Sequence, residues 1–415
     1  MDSQEDSDDS IPFPELRLFL EDICCDLCRF LHSADGTTAP ELVTINREAF
    51  LGVEGAYADI RVAPPDRAAY FVEIKYGYRF EELPRVFARK YGTATPELSE
   101  ASKVVLVVDT EAEDGWQIIE SQLRKCLPDS LPLQVWNWRK LAARINACFQ
   151  TSIESLNEET LLEVRTAIDR GKGFHAFGAD SIHSYVQDPL KAMLIWHFGF
   201  WRLRQLREST GLDATKLLVP GTYRQVVVVM ADLCSYSRYV RDTRDNELVR
   251  QLLTTFYAHT RYEVINHGGM LYRFVGDQVV AFFGIPDQRP GYVLDALDTA
   301  RALIHIGNSL THDWQRRIDH VQETGGLSVS IAMGDVDIVR LRPFSRTHLD
   351  TVGEMINIGA RLNSAANSNE IVVSNTYYQN MPHEEQVDFK EIESIEARNI
   401  GNIGAWRLNC TEDDS

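Results

Sequence analysis

Two aspartates, Asp232 and Asp277, stand where carboxylates can bind a common ion. Asp232 follows the apolar stretch 226–231, so it marks the end of a buried strand, and Asp277 stands at a tight Gly-Asp turn. If the two strands are neighbours, the carboxylates share one pocket, where their repulsion calls for a hard divalent cation with oxygen ligands. Two such ions would serve an in-line displacement at phosphorus. The alternative is that each aspartate only caps a turn.

A second polar pair, Asn357 and Arg361, lies four positions apart in a segment with helical periodicity. Residues at this spacing share one face of a helix, so both side chains can reach one ligand. A planar guanidinium matches phosphate oxygens and can stabilise charge that builds up in a transition state. Taken alone, the pattern is more typical of an exposed helical arginine.

Regular alternation of strands and helices positions these pairs. The predicted order β-α-β-β-α-β is that of a ferredoxin-like unit with helices on one side of a sheet. Its elements are the strand Gln225–Ala231, the helix Asn246–His267, the hairpin Met270–Phe283, the helix Tyr292–Leu310, the strand Leu327–Gly334, the helix Gly353–Ala366 and the strand Glu370–Ser374.

The pattern divides the whole α/β (α+β) chain into four parts. Residues 1–10 form an acidic mobile tail, 11–150 an N-terminal mixed α/β regulatory or sensor domain, 151–220 a helical connector, and 221–409 the domain with both polar pairs. In the N-terminal domain the periodicity predicts a helix at Leu16–Leu31 and strands at Ala58–Val62, Tyr70–Lys75, Lys103–Val108 and Gln134–Trp138.

Composition limits the classes of function. The 415-residue chain carries a formal net charge of −19, which argues against wrapping duplex nucleic acid, since that mode needs basic surface. The longest apolar stretch, Ala192–Trp201, is too short to cross a bilayer, and the acidic N-terminus does not resemble a signal peptide. We therefore expect a cytoplasmic protein with no membrane or nucleic-acid partner, and with its seven cysteines as thiols.

Three segments in order resemble the class III adenylyl/guanylyl cyclase family. Met230–Ser237 is similar to its first metal motif, Gly268–Asp277 to its second metal hairpin, and Asp350–Arg361 to its transition-state motif. The resemblance covers Gln225 to about Leu408 and implies conversion of a nucleoside triphosphate into a 3′,5′-cyclic monophosphate and pyrophosphate.

The resemblance also implies the roles of individual residues. Asp232, the Leu233 carbonyl and Asp277 would hold two Mg²⁺ or Mn²⁺ ions per active site. Asn357 would orient the ribose, and Arg361 would stabilise charge on the α-phosphate. The phosphate-binding positions implied are Ser235, Tyr236 and Arg398. Family members place the metal aspartates and the Asn-Arg pair on different protomers, so a head-to-tail homodimer with composite sites is implied.

The positions that read the base in the family hold Arg273 and Asp350. Asp350 keeps the adenylyl identity, whereas Arg273 replaces a lysine and extends further toward the ribose, which favours a pyrimidine, UTP or CTP. Chain organisation is also similar to the Pycsar-type pyrimidine (uridylate or cytidylate) cyclases of bacterial anti-phage signalling, which activate a separate cyclic-nucleotide-responsive effector. The alternatives are an adenylate cyclase that makes cyclic AMP and a catalytically silent nucleotide-binding regulator.

In the N-terminal domain, Asp59 and the Glu73-Ile-Lys75 triplet resemble the signature of restriction-endonuclease-like folds. In those folds the acids hold a metal and the lysine supports the attacking water. Alternation places Glu73 and Lys75 on one face of a strand. Ion pairing across the strands explains the triplet equally well, and a nuclease-like fold used for sensing is the further alternative.

Overall fold

The computed structural model describes residues 13–34, 36–53, 55–108, 116–154, 158–178, 188–213, 216–318, 324–341, 348–397 and 401–410. The chain forms two compact units. The first comprises Met1–Ile45 and Ala58–Gly171, and the second Asn46–Tyr57 and Lys172–Ser415. The acidic tail predicted at 1–10 lies outside the described residues.

Residues 13–177 form helices and a five-stranded sheet with the order β1-β2-β3-β4-β5. Antiparallel pairing joins β2 to β3, while β3–β4 and β4–β5 are parallel. The elements are α1 (Phe13–Ser33), β1 (Thr44–Phe50), β2 (Tyr57–Ala63), β3 (Tyr70–Lys75), α2 (Leu83–Tyr91), α3 (Pro96–Ser99), β4 (Val104–Val108), α4 (Trp116–Lys125), β5 (Leu133–Trp136), α5 (Trp138–Phe149) and α6 (Glu158–Phe177).

All four strands predicted in this region are present and β1 was not predicted; the predicted ends lie within one residue of the observed ones, except for one end. All five residues of β4 are buried, as a central strand covered on both faces requires. The last strand, however, ends at Trp136 rather than Trp138. The reason is a helix cap: the Asn137 side chain accepts a hydrogen bond of 3.0 Å from the Lys140 backbone N–H and starts α5.

The second unit continues with α7 (Pro189–Thr210), β6 (Gly221–Leu233), α8 (Tyr236–Asp242), α9 (Asn246–Asn266), β7 (Met270–Val275), β8 (Gln278–Phe283), α10 (Tyr292–Ile318), β9 (Leu327–Leu341), β10 (His348–Val352), α11 (Glu354–Ala365), β11 (Glu370–Ser374), α12 (Asn375–Asn380), α13 (His383–Gln386), β12 (Lys390–Ala397) and β13 (Gly401–Asn409). Its eight-stranded sheet has the order β12-β13-β11-β9-β6-β8-β7, and β10 pairs with β9.

The central strand β6 is covered on both faces, so the prediction of helices on one side of the sheet is wrong. Val227, Val229 and Ala231 share a core with α9 and α10. The alternate residues Val226, Val228 and Met230 pack instead with α7 and with Met355 and Ile356 of α11. Six consecutive apolar residues present hydrophobic surface to both sides, and both sides must be buried.

The segment Asn46–Tyr57 belongs to the second unit, where it packs against α9 and α10. The Arg47 backbone N–H donates to Glu263 Oε1 at 2.8 Å, and the Asn46 amide donates to Glu263 Oε2 at 3.1 Å. The Phe50 ring stacks on the imidazole of His305 with centroids 5.1 Å apart. The fully buried Glu263 carboxylate therefore obtains two of its donors from a distant part of the sequence.

None of the helices in the described part of the chain is both long and apolar enough to span a membrane.

Candidate functional site

The structure brings Asp232 and Asp277 together. Asp232 is on β6 opposite Gln278 of β8, and Asp277 precedes Gln278 in the turn from β7. The Asp277 carboxyl group is close enough to shift the pKa of Asp232. Burial, and next the charge of Asp277, raise the pKa of Asp232 to about 7, because a partly buried anion beside another anion is unfavourable.

The chemistry of this pair fits a hard divalent cation. Oδ1 of Asp232 is buried and has no hydrogen-bond partner among the described residues, so a desolvated acceptor is left for a ligand. No group of three or more Asp, Glu, His or Cys side chains in the described residues could hold a metal. Two carboxylates are enough for Mg²⁺, which takes many of its ligands from substrate phosphates and water.

The residues that follow Asp232 turn the chain from β6 into α8. Ser235 has a left-handed backbone (φ 61°, ψ 17°), and its hydroxyl forms a hydrogen bond with the Thr324 hydroxyl. The Tyr236 ring packs edge-on against Trp314, and burial together with the Asp277 charge raises the pKa of the Tyr236 phenol. Tyr236 is therefore close enough to Asp277 to feel its charge, while Arg398 lies outside the described residues.

Arg273 and Asp350 form an ion pair, with Arg273 Nη2 2.5 Å from Asp350 Oδ1. The same oxygen accepts a hydrogen bond from the Tyr272 hydroxyl and another, of 2.8 Å, from the Thr351 backbone N–H. The guanidinium also lies over the Tyr272 ring, 4.1 Å from its centroid. Three donors therefore converge on Oδ1 and fix the carboxylate, while Oδ2 accepts none of these three bonds.

The contact of Tyr272 with Asp350 was not predicted from the sequence, because a β-bulge sets the direction of the Tyr272 side chain. Leu271 pairs with Ala281 and Arg273 with Val280, so Tyr272 is an extra residue in β7. In a regular strand two successive side chains point to opposite faces, whereas a bulge re-aims them. Tyr272 and Arg273 consequently reach the same carboxylate. No feature of the sequence signals the bulge.

Asn357 and Arg361 are both exposed on α11, and their four-residue spacing puts them on one face of that helix. The opposite face of α11 lies close to the sheet at Gly359, where a Cβ would be only 3.2 Å from Met230 Sδ. The Ser330 hydroxyl of β9 donates to the Gly359 carbonyl at 2.8 Å. Among the described residues, no hydrogen bond or ion pair joins Asn357 or Arg361 to the carboxylate pair of the same chain.

Tyr257 of α9 is a second residue that was not predicted. Its hydroxyl donates to the carbonyl of Gly276, the residue before Asp277, and its ring stacks on Phe274 with centroids 4.1 Å apart. Both contacts hold the turn between β7 and β8. An aromatic residue in an amphipathic helix is ordinarily read as core packing, so the sequence gives no sign of this role.

The structure also brings together the three N-terminal residues Asp59, Glu73 and Lys75. Lys75 Nζ lies 2.8 Å from Asp59 Oδ2 and 2.5 Å from Glu73 Oε2. All three side chains are buried. This cluster belongs entirely to the first unit.

Comparison with known proteins assigns the second half of the chain. Residues 218–410 match the family model of the adenylate and guanylate cyclase catalytic domain. An uncharacterized protein of Mycobacterium bovis is 28% identical over 165 residues, which are 40% of this chain and 28% of that protein. An uncharacterized protein of Mycobacterium tuberculosis is 29% identical over 148 residues, which are 36% of this chain and 24% of that protein. The chain thus spans less than a third of the length of these curated relatives.

Solved structures with related chains include the adenylyl cyclase CyaB from P. aeruginosa, with 19% identity, coverage of 48% of this chain and 100% of that chain, and a TM-score of 0.41. The guanylate cyclase domain of RhGC from Catenaria anguillulae in complex with GTP has 16% identity, covers 46% of this chain and 98% of that chain, and has a TM-score of 0.36. By the match to the family model, residues 218–410 are similar to the adenylate and guanylate cyclase catalytic domain.

Proposed function

We propose that this protein is a nucleotide cyclase that converts a nucleoside triphosphate into its 3′,5′-cyclic monophosphate and pyrophosphate. The observation that carries the proposal is the Asp232–Asp277 pair, which combines adjacent carboxyl groups, a raised pKa of Asp232 and an Asp232 oxygen without a partner among the described residues, all within the part of the chain that matches the cyclase model. Such a pair is unfavourable by itself and becomes favourable when a cation compensates both charges.

Asp232, Asp277 and the Leu233 carbonyl are the proposed ligands of two Mg²⁺ or Mn²⁺ ions. When bound, such ions supply charge stabilisation for the attacking and leaving oxygens of an in-line displacement. The chain's own contribution is to hold the carboxylates at adjacent strand ends. Tyr257 supports this geometry by fixing the turn that carries Asp277.

Asn357 and Arg361 are proposed to orient the ribose and to stabilise charge on the α-phosphate, respectively. Exposure of both side chains on α11 supports a composite site, because an outward-facing pair is available to substrate held by another copy. We propose a head-to-tail homodimer with two such sites, in which Ser235, Tyr236 and Arg398 contact the phosphates.

Arg273 and Asp350 are proposed to read a pyrimidine base, with UTP or CTP as substrate. The ion pair supplies an N–H donor and a carboxylate acceptor side by side, which matches O4 and N3–H of uracil or N3 and the amino group of cytosine. Tyr272 and Arg273 place two large side chains beside Asp350, which favours a small base over a purine. Adenine offers the same donor and acceptor pattern as cytosine, so cyclic AMP synthesis is the alternative.

The experiment that tests this proposal is a competition among substrates. The purified full-length chain is incubated with equal concentrations of ATP, GTP, CTP and UTP and with Mn²⁺, and cyclic products are identified by mass spectrometry. Cyclic UMP or cyclic CMP is expected, with an equal amount of pyrophosphate. Cyclic AMP as sole product would support the adenylate cyclase alternative. Nucleotide binding without any cyclic product would support the silent regulator.

The cellular role that we propose is synthesis of a pyrimidine second messenger for anti-phage signalling through a separate effector. It rests on similarity of chain organisation and on the substrate proposed above. Phage challenge of cells that express the chain should raise cyclic UMP or cyclic CMP, and the Asp232→Asn variant should abolish this rise.

A further inference from the structure

A cluster of buried charges lies at the centre of the first unit. The strand pair Ile60–Val72 aligns β2 with β3, so that Asp59 lies beside Glu73. Glu73 and Lys75 share one face of β3. A second lysine, Lys90, enters from the last turn of α2 and is 9% exposed, whereas Glu73 is fully buried.

Both lysines lie between the two acids. Lys75 Nζ is 2.8 Å from Asp59 Oδ2 and 2.5 Å from Glu73 Oε2. Lys90 Nζ is 3.0 Å and 2.9 Å from the two oxygens of Glu73 and 3.8 Å from Asp59 Oδ1. Lys90 therefore spans the Glu73 carboxylate and also approaches Asp59.

The remaining donors complete the shell around the acids. Tyr91 donates its hydroxyl to Glu73 Oε1 at 2.7 Å, and Arg17 Nη2 lies 3.2 Å from Asp59 Oδ1. The Ile74 backbone N–H donates to Asp59 Oδ2 at 2.6 Å. Each of the four carboxylate oxygens thus has at least one donor within 3.2 Å.

This shell does not fit a divalent metal. A hard cation needs carboxylate oxygens at about 2.0 to 2.6 Å, and here those oxygens are held by ammonium groups, which would repel it. Burial alone would raise the pKa of Asp59, but the charges of Lys75, Lys90 and Arg17 outweigh it and hold that pKa well below its usual range. Burial would likewise lower the pKa of Lys75, but Asp59 and Glu73 hold it above its usual range. The charges of Asp59 and Lys75 therefore persist at neutral pH.

We propose that Lys90 is a built-in counter-ion that takes the place of a divalent metal between Asp59 and Glu73, so that the first unit has a nuclease-like acid pair without metal-dependent nuclease activity. Lys75 belongs to the same strand as Glu73 and is enclosed, whereas Lys90 arrives from a neighbouring helix at the more accessible side. Removal of the Lys90 charge should therefore open the pair to a divalent cation.

The test uses the full-length chain with Asp232→Ala and Asp277→Ala, which removes the carboxylates of the cyclase domain as a source of metal binding. Free Mn²⁺ is titrated by electron paramagnetic resonance. With Lys90 present, we expect no Mn²⁺ binding that depends on Glu73, so adding Glu73→Gln should change nothing. Lys90→Met should gain one bound Mn²⁺ and a thermal midpoint that rises with Mn²⁺. Both gains should disappear on addition of Glu73→Gln.

Lys90→Arg is the matched control, because it keeps the charge, and it should gain no Mn²⁺ site. Lys90→Gln is a second neutral variant if the methionine variant does not fold. The proposal would be overturned if the chain that retains Lys90 already bound Mn²⁺ in a way that depends on Glu73. Glu73-dependent cleavage of plasmid DNA by that chain in Mn²⁺ would overturn it too. So would a folded neutral variant that gains no site.

Discussion

The two acid pairs of this chain, Asp59–Glu73 and Asp232–Asp277, are built from the same chemistry in different surroundings. In the first pair every oxygen has a donor, and the charges of nearby lysines and an arginine outweigh burial and keep the pKa of Asp59 low. In the second pair one oxygen of Asp232 has no partner among the described residues, and burial with the Asp277 charge raises the pKa of Asp232. Asp59 and Glu73 are buried and Asp232 and Asp277 are partly buried, so neighbouring cations, and not the acids themselves, decide whether such a carboxylate pair remains available to a metal.

The largest effect is expected at Asp232–Asp277, called the open pair because one of its oxygens has no partner among the described residues. Asp277→Ala should lower the cyclisation rate by about 100-fold or more, because it removes a proposed metal ligand and with it charge stabilisation in the transition state. The rate of cyclic nucleotide formation measures this loss. Asp313→Asn, which alters a surface acid of α10, is the matched control and should retain the rate. A rate retained in Asp277→Ala would separate the open pair from catalysis.

Mixing two variants tests whether Asn357 and Arg361 of one protomer act together with the carboxylate pair of the other protomer. Asp232→Ala and Arg361→Ala should each be inactive alone. In an equal mixture of exchanging homodimers, half are mixed and each has one intact site, so about a quarter of the wild-type rate should return. Recovery is measured after co-refolding or co-expression. If no activity returns although mixed dimers form, the Arg361 side chain does not act across the subunit boundary.

The two pairs should respond to pH in opposite directions. Asp232 has its pKa raised to about 7 in the folded chain, so its ionisation lowers stability as pH rises from its unfolded value toward 7. Asp59 has a lowered pKa, so its contribution is present above its unfolded value and is lost as pH falls below that value. The thermal midpoint without metal should fall as pH rises toward 7, because of Asp232, and should fall at acidic pH, because of Asp59. Asp232→Asn should remove only the fall near neutral pH.

The same proton competes with metal at the open pair. Mn²⁺ affinity should fall by up to about tenfold for each pH unit below 7, since one proton must leave Asp232. Calorimetric titration at several pH values measures this slope and the protons released. An affinity that does not change between pH 5 and 8, a range chosen to bracket the pKa of about 7, would show that metal binding displaces no proton from Asp232.

The smallest effect is expected at the turn that carries Asp277. Tyr257→Phe removes the hydrogen bond to the Gly276 carbonyl, which is worth about 1 kcal/mol, and should weaken apparent Mn²⁺ affinity by about fivefold. The metal concentration for half-maximal activity measures it. Tyr223→Phe removes a similar hydroxyl-to-carbonyl bond, to Val219 at 2.9 Å, near the other end of β6 and should leave that concentration unchanged.

Local sequence patterns predicted the parts of the fold that depend on local chemistry. The strand before Asp232 and the Gly-Asp turn identify two strand ends, and sheet pairing then makes the two acids neighbours, as the structure confirms. The four-residue spacing likewise predicts that Asn357 and Arg361 share the exposed face of α11. Their proposed roles in catalysis stay predictions.

Long-range register could not be predicted from these patterns. The bulge at Tyr272 depends on how β7 aligns with β8, and no residue type encodes it. The role of Lys90 could not be predicted either, because a lysine in an amphipathic helix ordinarily indicates a solvated face. It becomes an internal cation only when α2 packs beside Glu73, 17 residues earlier in the sequence.

The segment Asn46–Tyr57 means that the half of this protein with the proposed active site cannot be isolated by a single cut. A truncated chain that begins at Lys172 would retain every proposed active-site residue but lose the two donors that Asn46 and Arg47 give to Glu263. A buried carboxylate that loses its donors costs at least about 1 to 3 kcal/mol. Such a fragment should therefore aggregate or melt early for reasons unrelated to catalysis. Co-expression with a peptide that contains residues 46–57 is the rational way to rescue it.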